Sequence, residues 1–440
     1  MVFRRYLLPK LTEYWLSQDR LLKARGHAER VRRYRGMPHQ IFYFHQVDDP
    51  YSGLLAQCLG ALVQRYAVEL VPHVVGPPSD AAAPDRDRLV AYSRADAQRL
   101  SKHWGLAFED PLAQPPPDAV VSVQAALISG IKQGHFIELA SALSRKIWRL
   151  NELDEGDPAR GLPKVSRTEV EAHMASASAL RRRLGHYLGG MLYYGGEWYW
   201  GIDRLHYLEA RLQALGVQRA GVTGSLFPPQ AELTHTSLLE DPPTVDFFFS
   251  LRSPYSAIAA PRIFELGRLT GAQVRLRPVM PMVMRGLPVP REKRVYISLD
   301  AAREARLRQV PFGRLIDPVG RPVERGLALI PLAESLGYGQ AYVLSFMQAV
   351  WSEGIDAGSD RGLRHIAERA GLAWPDAQAA LQDDQWRGTA EANRKALLEL
   401  GLWGVPAFRV GKTAVWGQDR LWVVQQALCE SKTVSEGMSR

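Results

Sequence analysis

Two apolar runs, each followed by a helical pattern, organise the 440-residue chain. Residues 245–249 read Val-Asp-Phe-Phe-Phe, a β-branched and aromatic run that predicts a short buried strand. A helix is predicted directly after it, because Ser253 suits the N-cap and Pro254 suits the first helical position. Residues 40–44 predict a similar strand, and it leads into a helical run over 53–66.

The two stretches form part of a longer repeat. Residues of the first half recur 204 positions later without a gap, in the pairs Pro50 and Pro254, Ser52 and Ser256, Tyr92 and Tyr296, Asp96 and Asp300, Arg99 and Arg303, and Phe108 and Phe312. The ends of the halves correspond 216 positions apart, where the Trp-Gly-Ile-Asp-Arg-Leu of 200–205 returns as the Trp-Gly-Gln-Asp-Arg-Leu of 416–421. We therefore predict an internal duplication, with two domains of one ancestry.

Each half predicts the same order of elements. In the second half, a strand over 273–278 is followed by helical spacing over roughly 299–400 and by a hairpin of strands 407–410 and 413–416. A strand-helix-strand unit followed by helices, a hairpin and a last helix is typical of an α/β protein. The predicted organisation is a basic helical segment over 1–38, a first domain over 39–220, a proline-rich linker over 221–243 and a second domain over 244–430.

Cysteine usage and hydropathy exclude several classes of protein. Cys58 and Cys429 are the two cysteines, and they form neither a Cys-x-x-Cys nor a zinc-ligand spacing. We expect no disulfide framework, no dithiol redox centre and no metal site. No uncharged apolar run reaches the roughly 18 residues that a membrane-spanning helix needs. The start of the chain also lacks the apolar core of a secretory signal, so the cytoplasm is the expected compartment.

Positive charge concentrates near the start of the chain. Residues 1–38 carry ten Lys or Arg against three Asp or Glu, within a formal net charge of +9 for the whole chain. A nucleic acid or an anionic surface could bind there. The basic residues are not interleaved with stacking aromatics, which favours a helix packed on the body of the protein. We therefore expect no nucleic-acid partner.

Five motifs together carry a resemblance to a known family. They are the Ser-Pro-Tyr-Ser of 253–256 after a strand, Lys293 three positions before Tyr296, the Gln-Val-Pro-Phe-Gly of 309–313, the Trp-Gly-Val-Pro-Ala-Phe of 403–408 and the Trp-Gly-Gln-Asp-Arg of 416–420. This set resembles the DsbA-like thioredoxin superfamily, and within it the glutathione-dependent 2-hydroxychromene-2-carboxylate isomerases and kappa-class glutathione transferases. The resemblance covers about 244–428 and, in degraded form, about 39–216. It implies an α/β fold with two DsbA-type thioredoxin-like domains, each with a large helical insertion.

The chemistry of the two serines points to the glutathione-dependent branch. Disulfide-exchanging members of the superfamily have cysteines where this chain has Ser253 and Ser256. A serine hydroxyl cannot form a mixed disulfide, but a hydroxyl beside helix N-terminal N–H groups favours an anion. Such a site would stabilise the thiolate of glutathione, a thiol of ordinary pKa about 8.5. The alternative is that Ser253 only caps the helix.

The resemblance also implies the other glutathione contacts. Val405 and Pro406 match the cis-proline pair whose backbone meets the peptide of glutathione, Gln418 and Asp419 match the segment that binds its γ-glutamyl end, and Lys293 matches a basic residue facing its glycine carboxylate. Each has a purely structural alternative. The proline occurs throughout thioredoxin-like folds, the aspartate suits a helix N-terminus and the lysine suits a solvated surface.

The first half differs at the matching positions. Asp49 stands in place of the serine, Gly190 in place of the proline and Leu89 in place of the lysine. A carboxylate would repel a thiolate. We therefore predict that the first half binds no glutathione and serves as a scaffold, and that the two repeats could pack as an internal pseudo-dimer.

These observations lead to one main hypothesis and two alternatives. The main hypothesis is a glutathione-dependent isomerase or transferase acting on a small aromatic or unsaturated electrophile. The first alternative is a non-catalytic thioredoxin-like adaptor, and the second is a DsbA-family oxidoreductase that relies on the thiol of glutathione.

Overall fold

The computed structural model describes residues 7–148, 159–230 and 238–437, so part of the predicted linker and the first six residues of the basic segment lie outside the described residues. Contacts divide the described chain into two compact units. The N-terminal unit contains the described residues of 22–229 together with 290–296. The C-terminal unit contains residues 7–21, 238–289 and 297–437.

The first half of the chain builds a four-stranded sheet with the strand order β2-β1-β3-β4. Strand β1 is parallel to β2 and antiparallel to β3, which pairs antiparallel with β4. Its elements are α1 (Leu8–Leu16), α2 (Gln18–Tyr34), β1 (Gln40–His45), α3 (Pro50–Ala56), α4 (Leu59–Arg65), β2 (Glu69–Val74), α5 (Arg86–Trp104), α6 (Pro117–Gln133), α7 (Phe136–Trp148), α8 (Arg167–Arg183), β3 (Met191–Tyr194), β4 (Glu197–Trp200) and α9 (Leu205–Ala214).

The second half builds another four-stranded sheet, with the order β6-β5-β7-β8 and the same strand directions. Helices α11 to α17 all lie in the chain between β6 and β7. The elements are β5 (Val245–Phe249), α10 (Pro254–Thr270), β6 (Val274–Pro278), α11 (Arg291–Leu307), α12 (Arg321–Ala328), α13 (Ile330–Ser335), α14 (Gly339–Gln348), α15 (Asp360–Arg369), α16 (Trp374–Ala380), α17 (Gln385–Glu399), β7 (Ala407–Val410), β8 (Thr413–Trp416) and α18 (Leu421–Gly437).

The two sheets also share their register. Pairs in the first two strands recur 204 positions later, and pairs in the hairpin recur 216 positions later, which are the offsets of the sequence repeat. The pair Ile41–Leu70 of the first sheet corresponds to the pair Val245–Val274 of the second. In the hairpins, the pair Met191–Trp200 corresponds to the pair Ala407–Trp416. The repeated residues therefore occupy equivalent places in two sheets of one topology.

Aromatic packing on β5 forms the centre of the C-terminal unit. All five residues of β5 are buried, which confirms the predicted buried strand. Phe247 stacks on Phe249 with ring centroids 5.0 Å apart and on Phe408 of β7 at 5.4 Å. Large rings on adjacent strands bury much apolar area, and this packing fixes the register of β5 against β7.

One predicted helix is interrupted in the structure. The run 53–66 was expected to be continuous, but α3 ends at Ala56 and α4 begins at Leu59. The side-chain amide of Gln57 donates to the carbonyl of Ala107 and accepts from the N–H of Ala107, at 2.9 Å in each case. Cys58 therefore lies between the two helices; it is buried, and burial raises the pKa of its thiol to about 12.

Candidate functional site

Ser253 caps α10, the helix that follows β5. Its backbone is extended, with φ −92° and ψ 116°, and its Oγ accepts the N–H of Ser256 at 3.1 Å. Pro254 at the first helical position has no N–H that needs a partner. The Ser253 side chain is partly exposed, whereas Ser256 is fully buried and its Oγ accepts the N–H of Ser250 at 3.4 Å. Of the two serines, Ser253 is the one that a ligand can reach.

The turn before β7 brings Val405 to Ser253. The peptide bond between Val405 and Pro406 is cis, as the resemblance implied. The Ser253 hydroxyl donates to the Val405 carbonyl at 3.4 Å, a long hydrogen bond that a better acceptor could replace. Glycine is needed at position 404, because a Cβ there would lie 2.2 Å from the indole of Trp416. The turn is therefore held against the end of β8.

The backbone N–H of Val405 faces no protein acceptor. Among the residues that the structure describes, no hydrogen bond starts from this group, although Val405 follows directly on a buried turn. A backbone N–H and C=O on the same residue can pair with an extended peptide in the manner of an added strand. This turn therefore offers a backbone donor and a backbone acceptor to an extended peptide ligand.

A short 3-10 turn, Gln418–Arg420, joins β8 to α18 and carries two predicted ligand contacts. The amide of Gln418 is buried and used within the protein, accepting from Arg262 at 2.6 Å and donating to Glu304 at 2.7 Å. Asp419 is partly exposed, and its carboxylate lies 3.6 Å from the guanidinium of Arg420. Asp419 can present a negative charge to a ligand, while Gln418 can offer its backbone.

Gly417 links this turn to the cis-proline turn. Its N–H donates to the carbonyl of Pro406 at 2.9 Å. Its φ of +115° is a conformation that favours glycine, and a Cβ would lie 2.6 Å from a carboxylate oxygen of Asp419. The structure thus brings together Ser253, Val405, Pro406, Gln418 and Asp419 at one end of the sheet.

Lys293 has its contacts in the N-terminal unit. Its Nζ donates to the carbonyl of Ala82 at 2.7 Å and lies 6.0 Å from the ring centroid of Tyr187. Burial lowers the pKa of Lys293 to about 8. The structure therefore gives Lys293 neighbours other than the five residues above, and its role towards a glycine carboxylate stays a prediction.

Asp49 occupies the place of Ser253 in the N-terminal unit. Its carboxylate caps α3 by accepting the N–H of Ser52 at 2.9 Å and the hydroxyl of Ser52 at 2.6 Å. Burial raises the pKa of Asp49 to about 6, while the hydrogen bonds from Ser52 act in the opposite direction. Gly190 lies close by, since a Cβ there would be 3.2 Å from the same carboxylate. The space that a thiolate would need holds a carboxyl group.

Sequence reasoning did not include the residues that support the site. Arg262 and Glu304 fix the side chain of Gln418 from helices that are far away in the chain. Tyr255 donates to the carboxylate of Asp300 at 2.7 Å and ties α10 to α11. The recurrence of the tyrosine and the aspartate at an offset of 204 is a sequence signal for the contact between Tyr255 and Asp300. Nothing in the local sequence signals the contacts of Arg262 and Glu304 with Gln418.

Two kinds of site do not occur among the described residues. In residues 7–148, 159–230 and 238–437, no three His, Cys, Asp or Glu side chains gather in a way that could hold a metal ion. Within the same ranges no helix is both long and apolar enough to cross a membrane.

The sequence profile of the DSBA-like thioredoxin domain family matches residues 244–429. This part of the chain is similar to DsbA-like thioredoxin domains, and the match does not extend to the N-terminal half. Among curated proteins, the 2-hydroxychromene-2-carboxylate isomerase of Sphingobium xenophagum is 27% identical over 198 residues, which cover 42% of this chain and 98% of that protein. The isomerase of Pseudomonas sp. strain C18 is 26% identical over 192 residues, covering 42% and 89%.

Two solved structures are similar to this chain at lower sequence identity. A 2-hydroxychromene-2-carboxylate isomerase structure is 23% identical, covers 45% of this chain and all of that chain, and superposes with a TM-score of 0.39. The cytosolic disulfide reductase DsbM from Pseudomonas aeruginosa is 21% identical, with 45% and 98% covered and a TM-score of 0.35.

Proposed function

We propose that the C-terminal unit is the catalytic part of a glutathione-dependent isomerase or transferase that acts on a small aromatic or unsaturated electrophile. One observation carries the proposal: the Ser253 hydroxyl caps a helix and donates to the carbonyl of Val405, whose own N–H has no acceptor among the described residues. The homology of this region to 2-hydroxychromene-2-carboxylate isomerases supports the isomerase form. Glutathione, when bound, would supply a thiol that adds reversibly to a conjugated carbon of the substrate.

The residues of the site suit the separate parts of glutathione. Ser253 can turn its hydroxyl from the Val405 carbonyl to a sulfur anion, and the helix N-terminus adds a favourable field. Val405 can pair with the peptide backbone, and Asp419 can take the ammonium of the γ-glutamyl end, with the backbone of Gln418 beside it. Lys293 remains our candidate for the glycine carboxylate.

We further propose that the two halves arose by tandem duplication and that the N-terminal domain has lost the site. The shared strand order and register of the two sheets support a common origin. The carboxyl group of Asp49 and the glycine at position 190 support the loss. In this proposal the N-terminal domain serves as a scaffold for the catalytic domain.

Absorbance of the glutathione thiolate tests the role of Ser253. We expect the ultraviolet signal of bound thiolate to rise on titration of the intact protein with glutathione and to disappear in Ser253→Ala. Ser359→Ala is a matched control, because Ser359 caps α15 through a hydrogen bond of the same length, 3.1 Å. Both substitutions should cost about 1 kcal/mol of stability through the lost cap.

The outcomes separate the candidate functions. Loss of the thiolate signal in Ser253→Ala alone supports the enzyme. An equal signal in both variants would reduce Ser253 to a helix cap. Absence of any binding at millimolar glutathione would reject both glutathione-dependent functions and leave the adaptor.

A further inference from the structure

A pocket in the C-terminal unit, separate from the residues around Ser253, is lined by basic and apolar side chains. It has a volume of about 130 Å³ and lies between the 3-10 turn Met282–Arg285 and helix α17. The lining residues are Met280, Arg285, Trp386, Arg387, Ala390, Glu391 and Arg394. Three guanidinium groups against a single carboxylate make the pocket positive.

Two of the three guanidinium groups already have carboxylate partners. Arg394 forms two contacts with Glu391, at 2.6 and 2.8 Å, one turn away on α17. Arg387 lies 3.1 Å from Asp384 and 3.7 Å from Glu324. These carboxylates offset the charges of Arg387 and Arg394. The positive charge of the pocket therefore comes mainly from the remaining arginine.

Arg285 is that arginine. Within the described ranges it forms no ion pair and no hydrogen bond, and its Nε is fully buried without an acceptor. Burial, together with the nearby charge of Arg394, lowers the pKa of Arg285, while the nearby carboxylate of Glu391 acts in the opposite direction. Arg285 as a whole is only partly buried, so its terminal nitrogens remain accessible while the buried Nε lacks an acceptor. A buried donor without a partner is costly, and an anion that entered the pocket would offset that cost.

The rest of the lining is apolar and partly aromatic. Trp386 and Ala390 are buried on one face of α17, and Met280 packs against the core of the unit. The guanidinium of Arg387 lies over the indole of Trp386 at 4.4 Å, which holds the ring in place. Such a lining suits a planar or apolar body attached to the anion.

The pocket lies beyond the same edge of the sheet as Ser253. Strands β5 and β6 are parallel, and Phe249 pairs with Pro278 at their carboxyl ends. The chain runs from Phe249 to Ser253 on one strand and from Pro278 to Met280 on the other. Ligands of open α/β sheets bind outside the carboxyl ends of parallel strands.

We propose that this pocket binds the carboxylate of an organic acid, with Arg285 as the partner of the anion and Trp386 and Met280 against its apolar part. A guanidinium can receive a carboxylate through two parallel hydrogen bonds. The carboxylate could belong to the electrophile or to glutathione. In both cases the inference rests on the proposed function. The binding of a simple acid, however, does not require Ser253.

Calorimetric titration of the whole protein with benzoate tests the pocket, with benzamide as an uncharged probe of the same shape. We expect benzoate to bind and benzamide to bind at least about tenfold more weakly, since the charged hydrogen bonds are lost. Arg285→Met should weaken benzoate binding at least about tenfold, and Arg285→Lys should give an intermediate affinity. Arg364→Met is the control, because Arg364 is exposed on α15 and paired with Glu368.

Glutathione titrations of the same variants identify the source of the carboxylate. Loss of benzoate binding alone in Arg285→Met assigns the pocket to the electrophile, and an additional loss of glutathione affinity assigns it to a carboxylate of the tripeptide. Unchanged benzoate affinity in both Arg285 variants, or equal affinity for benzamide, overturns the proposal. Benzoate binding that depends on Arg285 without a thiolate signal would keep the pocket and reject the proposed enzyme.

Discussion

At the scale of single residues, one difference between the two halves lies in a helix cap. Ser253 and Asp49 both accept the N–H three positions ahead, so both satisfy the start of a helix. Only the aspartate carries an ionisable group, and burial raises the pKa of Asp49 to about 6. The substitution preserves the fold of the turn while it changes the chemistry that the turn can support.

This raised pKa predicts a pH dependence of stability. The folded protein binds a proton at Asp49 more tightly than the unfolded chain, so the contribution of Asp49 to stability is fully present below about pH 4 and is lost as the pH rises through about 6. Asp49→Asn should remove this loss, roughly 3 kcal/mol at pH 7, because asparagine is an equally good cap and stays neutral. Thermal unfolding between pH 4 and pH 7 measures the gap between variant and parent protein.

The exposed residue Asp87 supplies the comparison for that experiment. Asp87→Asn should follow the parent protein at every pH. A difference between Asp49→Asn and the parent that stays constant from pH 4 to pH 7 would contradict the assignment.

The chemistry of the caps could be predicted from sequence, whereas the surroundings of the long side chains could not. Ser253 and Val405 act through backbone geometry that a local motif specifies, and the structure brings them together. Lys293 and Gln418 end in groups whose partners lie 114 or more positions away in the chain. Tertiary packing decides those contacts. Arg285, which has no ion pair or hydrogen bond among the described residues, gave no local signal either.

At the scale of elements, a tyrosine and an aspartate tie the first helix of each half to a later helix. Tyr255 on α10 donates to Asp300 on α11, and Tyr51 on α3 donates to Asp96 on α5 at 2.9 Å. Both aspartates are at most 2% exposed, so each depends on the hydroxyl for part of its solvation. The pair recurs at the offset of 204 and is structural in both halves.

Removal of this hydroxyl should destabilise the C-terminal unit. Tyr255→Phe leaves the buried carboxylate of Asp300 with one donor fewer, and we expect a cost of about 1 to 3 kcal/mol. Urea unfolding measures the change. Tyr338→Phe serves as the comparison, because Tyr338 is 44% exposed; equal stabilities of the two variants would show that the hydroxyl contributes nothing.

Element boundaries were predicted best where local chemistry fixes them. The hairpin strands 407–410 and 413–416 have the predicted bounds, because the Gly-Lys turn at 411–412 leaves the chain little choice. Within the helical spacing predicted over roughly 299–400, by contrast, α14 ends at Gln348 and the chain continues as a π-helical turn to Glu353. Wide helical turns depend on packing around them, which periodicity does not contain.

At the scale of the whole molecule, two sheets of one topology carry one candidate site. The proposal therefore predicts one glutathione per chain in a calorimetric titration. Asp419→Ala should abolish or strongly weaken that binding, because the ammonium group loses its carboxylate. Asp203→Ala, the equivalent change 216 positions earlier, should leave both affinity and stoichiometry unaltered. Two molecules bound per chain would contradict the loss of the first site.

The backbone at Gly190 makes the first half hard to restore by stepwise mutation. Its φ of +60° is closed to proline, and a side chain there would press on Asp49 at 3.2 Å. Exchange of Asp49 for serine alone leaves the wrong backbone, and exchange of Gly190 for proline alone leaves an incompatible one. Neither single substitution rebuilds the arrangement of Ser253 and Pro406, so both positions would have to change together before a glutathione site could form in the first half.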